Sequence, residues 1–359
     1  MNKNRNSSIE LLRILSIFGI IMMHCFGKYY LICAGYNLVF GIIINVLFNT
    51  GVTCFMLISG FYGLKFNFHK LIRILLLVLF YSYIDLLIHY IFSNSSFTFS
   101  RVLQSIFPLL TGKYWYISCY IIIYILSDYI NEYIYQLSYV RFTCLLIILL
   151  IIYYVAPSIL NFQLMNDSGK GIVNMFIVYL TGIYINKYYN YFNRTSALII
   201  IYFINAIIMF CYTFFVSSIC GGVGIKYPML LRDNSIFIYI NSICLFIYFS
   251  KHELYNSIVN LLASCVFGIY LNEGIVRYII NNINFEFSID CGVIIKTILL
   301  CILVFVISII VEFFRKCLVK ASRQLKLNID LDNIISFLNN KQHRFIDFLN
   351  KIRYKKDLG

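Results

Sequence analysis

The chain has 359 residues, 61% of them hydrophobic and 12% charged, with a formal net charge of +14. A soluble domain carries roughly 25% charged residues, whereas the mean hydropathy here is +0.83 and apolar stretches near the bilayer-spanning length of about 20 residues recur along most of the sequence. This excludes a soluble globular protein, and the basic balance reports membrane topology rather than nucleic-acid binding. Twelve cysteines are scattered singly, with no CxxC pair and no Cys/His cluster at zinc spacing, so no metal site is expected.

The expected fold is all-α: a polytopic membrane bundle of about ten transmembrane helices. Hydropathy places the spans near 9–26, 38–62, 71–92, 114–131, 141–160, 171–187, 196–217, 235–250, 257–280 and 291–314. Lys3 and Arg5 ahead of an apolar run resemble a signal peptide, but Glu10 and Arg13 interrupt that run and no small-x-small site follows, so a retained first helix is expected. No internal repeat of the transporter kind is evident.

The first span carries Glu10, Arg13 and His24, and ionisable groups at membrane depth mark function. Eleven positions return a helix to within about 20° of the same face, so Arg13 and His24 share one stripe, about 16 Å apart along the axis. Glu10 lies within about 40° of His24 by the same count. Imidazole titrates near neutral pH and can act as a general base, although a lone membrane histidine can also simply bond a neighbouring helix. Glu10 and Arg13 read equally well as an ion pair three residues apart.

At the start of span three stand Lys70 and Arg73. Together with Arg13 they would face one compartment and could hold phosphate oxygens, while the positive-inside rule alone would also place them there. Asp85 and His89 share a face further along this span, and interfacial hydration is their simpler reading. Trp115, flanked by Tyr114 and Tyr116, reads as an interfacial anchor. Glu273 and Arg277 read as an intramembrane ion pair, and Lys296 and Glu312 as snorkelling groups near the ends of span ten. Cys54, Cys119, Cys144, Cys244, Cys265 and Cys301 read as small core residues.

Orientation follows the Lys/Arg bias. With both termini cytoplasmic, the inner loops hold nine cations (Lys3, Arg5, Lys65, Lys70, Arg73, Arg141, Lys187, Arg194, Lys251) against six outside (Lys28, Arg101, Lys113, Lys170, Lys226, Arg232). Residues 315–359 decide it, with eleven Lys and Arg against four acidic residues. The chain is thus divided into a transmembrane domain, 1–314, and a basic tail, 315–359. Leu331, Ile334, Ile335, Leu338, Phe345, Leu349 and Ile352 recur at helical spacing in that tail, as in an amphipathic helix on an anionic leaflet; a loosely structured basic tail fits as well.

The segments SSIELLRILSIFGIIMMH, GVTCFMLISGFYGLKFNFHKLIRILLLVLFYSYI, FPLLTGKYWYISCYIIIYILSDYIN, NMFIVYLTGIYI and RDNSIFIYINSICLFIYF resemble, in order and spacing, the acyltransferase-3 family of integral-membrane O-acyltransferases that modify bacterial surface polysaccharides. The first matches the family's arginine, ten intervening residues and histidine at Arg13 and His24. The second carries a Ser-Gly-Phe turn at Ser59, Gly60 and Phe61, and Lys70 with Arg73 where the family often has an Arg-x-x-Arg pair. In FGIYLNEGIVRYI, Asn272 and Glu273 stand where relatives commonly show a histidine after Tyr-Leu, which implies an altered or lost contribution there.

The resemblance implies a multi-pass protein of the bacterial cytoplasmic membrane that moves an acyl group, foremost acetyl, from acyl-CoA to a sugar hydroxyl of a capsular or exopolysaccharide, or of a lipid-linked glycan. No permanently bound cofactor and no nucleic-acid partner are expected; acetyl-CoA is a donor substrate. Arg13, Lys70 and Arg73 would hold the donor's phosphates. His24, with Arg13 and Glu10, would do the chemistry as base or transient acyl carrier, and Ser59, Gly60, Phe61 and Trp115 would line the substrate path. The rival readings are a polysaccharide-precursor transporter or flippase and a polysaccharide polymerase.

Overall fold

A computed structural model describes residues 6–30, 35–93, 98–192, 195–219, 228–283 and 292–324, and these contain no β-strand. The tail pattern at 331–352, Lys3, Arg5, Arg194, Lys226 and the cysteines at 33, 220 and 291 lie outside them. In chain order the helices are α1 (Ser7–Tyr30), α2 (Tyr36–Phe48), α3 (Gly51–Tyr62), α4 (Phe68–Ser93), α5 (Phe99–Ile106), α6 (Trp115–Gln136) and α7 (Tyr139–Leu150). A π-turn, Ile151–Val155, joins α7 to α8 (Ala156–Ile159). There follow α9 (Ile172–Lys187), α10 (Thr195–Ile219), α11 (Ile236–Lys251), α12 (Ser257–Ala263), α13 (Val266–Asn282) and α14 (Val293–Gln324).

Among the described residues seven helical segments are long and apolar enough to cross a bilayer, and eight if the bent pair α12–α13 is one span. The other two segments read from hydropathy are α6, which carries Asp128 and Glu132, and α9, an apolar helix of 16 residues with most of its length buried. Three spans that look continuous in the sequence are interrupted. The second breaks at Asn49 and Thr50, where Asn49 donates its side-chain amide to the Leu231 carbonyl at 2.6 Å. The fifth passes through the π-turn, a wider turn often found at functional positions. The ninth bends by 55° between α12 and α13.

Helix α1 sits at the centre, packed against α2, α3, α11, α12, α13 and α14. Its start is pinned to the start of α12: Ser7 N–H donates to Leu254 O at 2.7 Å and Ser7 Oγ to Asn260 Oδ1 at 3.0 Å. Asn6 caps the helix, accepting from Ser8 N–H at 2.9 Å. These bonds set the axial position of α1, and so of Arg13 and His24, relative to α13.

The closest crossing is α3 on α9, at two glycines. A Cβ on Gly60 would lie 2.2 Å from Tyr179 O, and one on Gly182 would lie 2.5 Å from Leu57 O. The Ser59–Gly60–Phe61 motif is therefore the last turn of an intact helix and a backbone-to-backbone seam, in contrast to the turn expected there. Ser59 Oγ donates to Phe55 O at 2.9 Å, and Phe61 packs on Phe246 and Tyr189. Gly63, at φ 71°, then ends α3, a conformation that favours glycine. The loop after it is tied down: Asn131 donates to Leu64 O at 2.7 Å, Phe66 N–H to Asp128 at 3.1 Å, and Asn67 N–H to Tyr124 Oη at 2.9 Å.

A second buried polar network joins α4, α13 and α14. Tyr81 Oη donates to Glu312 Oε2 at 2.7 Å, and Arg315 grips Glu312 with two bonds of 2.7 Å. Lys316 Nζ reaches the Ser264 carbonyl, at the α12–α13 bend, at 2.7 Å. Glu312 is 2% exposed; it does not snorkel, because partners from two helices make burial affordable. Among the cysteines read as core, Cys144 is exposed while Cys54, Cys119, Cys244, Cys265 and Cys301 are buried.

Candidate functional site

Two polar groups separated by 249 residues meet between α1 and α13. His24 Nδ1 lies 2.8 Å from Glu273 Oε1. The His24 side chain is 46% exposed and the Glu273 side chain 8%, so one imidazole edge is engaged and the rest of the ring is open. An ionised carboxylate can only accept, so in the neutral imidazole the proton sits on Nδ1 and Nε2 carries a free lone pair. Glu273 Oε2 is enclosed and has no hydrogen-bond partner among the described residues. Arg277, one turn further along α13, donates its guanidinium to the backbone carbonyl of His24.

The expected Glu273–Arg277 ion pair is thus replaced by two bonds from α13 to the same residue of α1. The physical reason is position: α1 and α13 pack together, and His24 offers both an imidazole and, near the end of the span, a carbonyl within reach of the neighbouring helix. The departure noted at Asn272 and Glu273 acquires a role here, because the residue beside the expected histidine position is the carboxylate that orients His24.

Glu10 is not with His24. It accepts from Arg13 Nη1 at 2.9 Å, with side chains 8% and 24% exposed respectively. Arg13 is close enough to Tyr116 and Tyr120 for its charge to act on both hydroxyls. Lys70 Nζ sits 5.1 Å from the centroid of the Tyr124 ring, a cation–π distance. Arg73 is exposed, without a partner among the described residues. Arg13, Lys70 and Arg73 are therefore not in mutual contact; the first two are spaced along α6 by its tyrosines.

Those tyrosines form a ladder. Tyr116, Tyr120 and Tyr124 recur every four residues, with centroid separations of 6.5 Å and 6.0 Å, and the last pair is stacked. Tyr116 meets Tyr270 of α13 edge-on at 6.0 Å, and Tyr270 lies three residues before Glu273, on the same face. Aromatic contacts thus run from Lys70 along α6 to Tyr270, one turn of α13 before Glu273. Trp115 is half-buried at the head of α6 and packs edge-on against Tyr116 at 6.2 Å. The four-residue recurrence in α6 was a signal visible in the sequence; the participation of Tyr270 and Glu273 was not.

An imidazole held by a carboxylate between the helices of a polytopic bundle has the arrangement of a general base and its orienting group. The sequence model of the Acyl_transf_3 family, described as an acyltransferase domain, matches residues 6–313, and the chain belongs to that family. It matches no curated protein and no solved structure. The protein is a multi-pass membrane acyltransferase.

Proposed function

We propose that the protein transfers an acetyl group from acetyl-CoA to a hydroxyl of a bacterial surface polysaccharide, capsular or exopolysaccharide, or of its lipid-linked precursor, in the cytoplasmic membrane. The observation that carries this reading is the His24–Glu273 pair at the end of the tyrosine ladder. Ten spans with both termini cytoplasmic put Lys70 and Arg73 at the inner mouth, where they and Arg13 bind the donor's phosphates. The pantetheine arm follows the ladder toward His24.

At the site, Nε2 takes the proton as the acceptor oxygen attacks the thioester carbonyl. The C–S bond breaks, and the imidazolium returns the proton to the departing thiolate. Glu273 fixes the ring and its tautomer and faces the positive charge that forms. The test is purified protein in lipid with labelled acetyl-CoA and crude glycan. Transfer of label that is lost in a folded His24→Ala variant is expected, together with loss of one acetyl mass increment from the surface glycan of cells lacking the protein. Undiminished transfer by His24→Ala, or glycan chains that are shortened rather than deacetylated, would overturn the reading.

A further inference from the structure

A second cluster of ionisable groups lies where α4 and Lys113, just before α6, meet α13. Asp85 Oδ2 accepts from Lys113 Nζ at 2.8 Å, and Lys113 also donates to Ser82 Oγ at 3.1 Å. His89 Nε2 stands 3.7 Å from Asp85 Oδ1, too far for a hydrogen bond, and its Nδ1 is enclosed with no partner among the described residues. The imidazole instead lies against the Tyr278 ring, with centroids 3.8 Å apart. The side chains of Asp85, His89 and Lys113 are 21%, 23% and 17% exposed. Sequence spacing suggested a hydrated Asp85–His89 pair; packing against α13 makes the lysine the partner of the carboxylate and the tyrosine the partner of the imidazole.

This cluster brackets the stretch of α13 that serves His24. Tyr114, next to Lys113, donates its hydroxyl to Leu271 O at 3.4 Å, two residues before Glu273. Tyr278 stands five residues after Glu273, about 7.5 Å along the axis, and directly follows Arg277, which bonds the His24 carbonyl. The charges of Asp85 and Glu273 both reach the Tyr114 hydroxyl. The cluster has spare capacity: among the described residues, Asp85 Oδ1 has no partner within hydrogen-bond distance, and it lies beside an aromatic ring. A carboxylate with an unused oxygen accepts hydroxyl donors, and an aromatic ring offers a flat apolar face. A polyhydroxylated ring, polar at its edge and apolar on its C–H face, matches both.

We propose that Asp85, His89, Lys113 and Tyr278 form the subsite that holds the acceptor sugar, which presents one hydroxyl to His24 Nε2. Asp85 and Lys113 bind neighbouring hydroxyls, and the Tyr278 ring, tilted at 45° against His89, carries the C–H face. The inference rests on the acceptor being a glycan, and the subsite is distinct from the residues assigned to the donor.

Trp115, the single tryptophan of the chain, adjoins Tyr114 and Lys113 and is a native reporter for binding without turnover. The experiment titrates the full-length protein in lipid nanodiscs with oligosaccharides released by mild acid from the producing cell's surface glycan, reading Trp115 fluorescence, and in parallel measures labelled acetyl-CoA binding. A saturable change is expected in the wild type and in His24→Ala. In Tyr278→Leu, and in the Asp85→Asn/Lys113→Met double variant, which removes both charges together, saturation should need at least tenfold more glycan with acetyl-CoA binding unchanged. Glycan binding by both variants equal to wild type would overturn the subsite, as would loss of donor and glycan binding together. If the wild type binds acetyl-CoA and transfers its acetyl group yet shows no saturable glycan response, the subsite fails while the enzyme reading stands. If it binds glycan but never transfers acetyl, the enzyme reading fails alone.

Discussion

Two buried carboxylates pair with bases of α1, and they differ in where they come from. Glu10 is three residues from its partner Arg13, on the same helix. Glu273 comes from α13, 249 residues from His24. The first pair is held by helix geometry alone and would form in an isolated α1. The second exists only when α1 and α13 dock at one depth and rotation, which the Ser7–α12 bonds and the Arg277–His24 bond enforce. Local pairing suits a charge that must stay near a membrane face; pairing across helices makes the imidazole geometry a readout of the assembled bundle.

The sharpest way to break this contrast is at its centre. His24→Ala should lower acetyl transfer by about 10³-fold, and Glu273→Ala by roughly 10²-fold, within the usual range for a positioned base and its support. Glu10→Gln should instead weaken acetyl-CoA binding through Arg13 and leave turnover at saturating donor within severalfold of wild type. Equal losses of turnover at Glu10 and Glu273, measured with labelled acetyl-CoA, would erase the distinction. A third buried carboxylate separates chemistry from architecture: Glu312→Ala leaves Arg315 without its partner, a cost of about 3 kcal/mol. That variant should unfold at a clearly lower temperature yet keep its kcat while folded.

Gly60→Val tests packing with no charge involved. The added side chain meets the Tyr179 carbonyl, so about 1–3 kcal/mol of destabilisation is expected from overpacking, read as a lower melting temperature. The smallest effect belongs to an exposed cation of the proposed donor mouth: Lys70→Arg supplies a forked donor and should lower the acetyl-CoA KM a few-fold, an effect that fades at high salt. An unchanged KM would remove Lys70 from donor binding.

Much of the architecture was legible in sequence because bilayer-length apolar runs and their flanking charges are local signals. The same holds for the shared stripe of Arg13 and His24, the Glu10–Arg13 spacing and the resemblance over most of the chain. The breaks at Asn49–Thr50 and at the α12–α13 bend escaped because hydropathy averages over a window wider than either interruption. Gly60 stands in the sequence only as part of an expected Ser-Gly-Phe turn; its close crossing with Gly182 needs two helices.

Residue order by itself determined that this chain lives in a bilayer as a helix bundle, and that its first helix carries a histidine and an arginine on one side. Tertiary structure alone decided who meets that histidine. Helical periodicity says which residues share a face, but not which face of another helix it will touch. Glu273 became the partner of His24, Lys113 of Asp85 and Tyr278 of His89 through the rotation and depth at which packed helices settle, a consequence of close packing along their whole lengths rather than of any short motif.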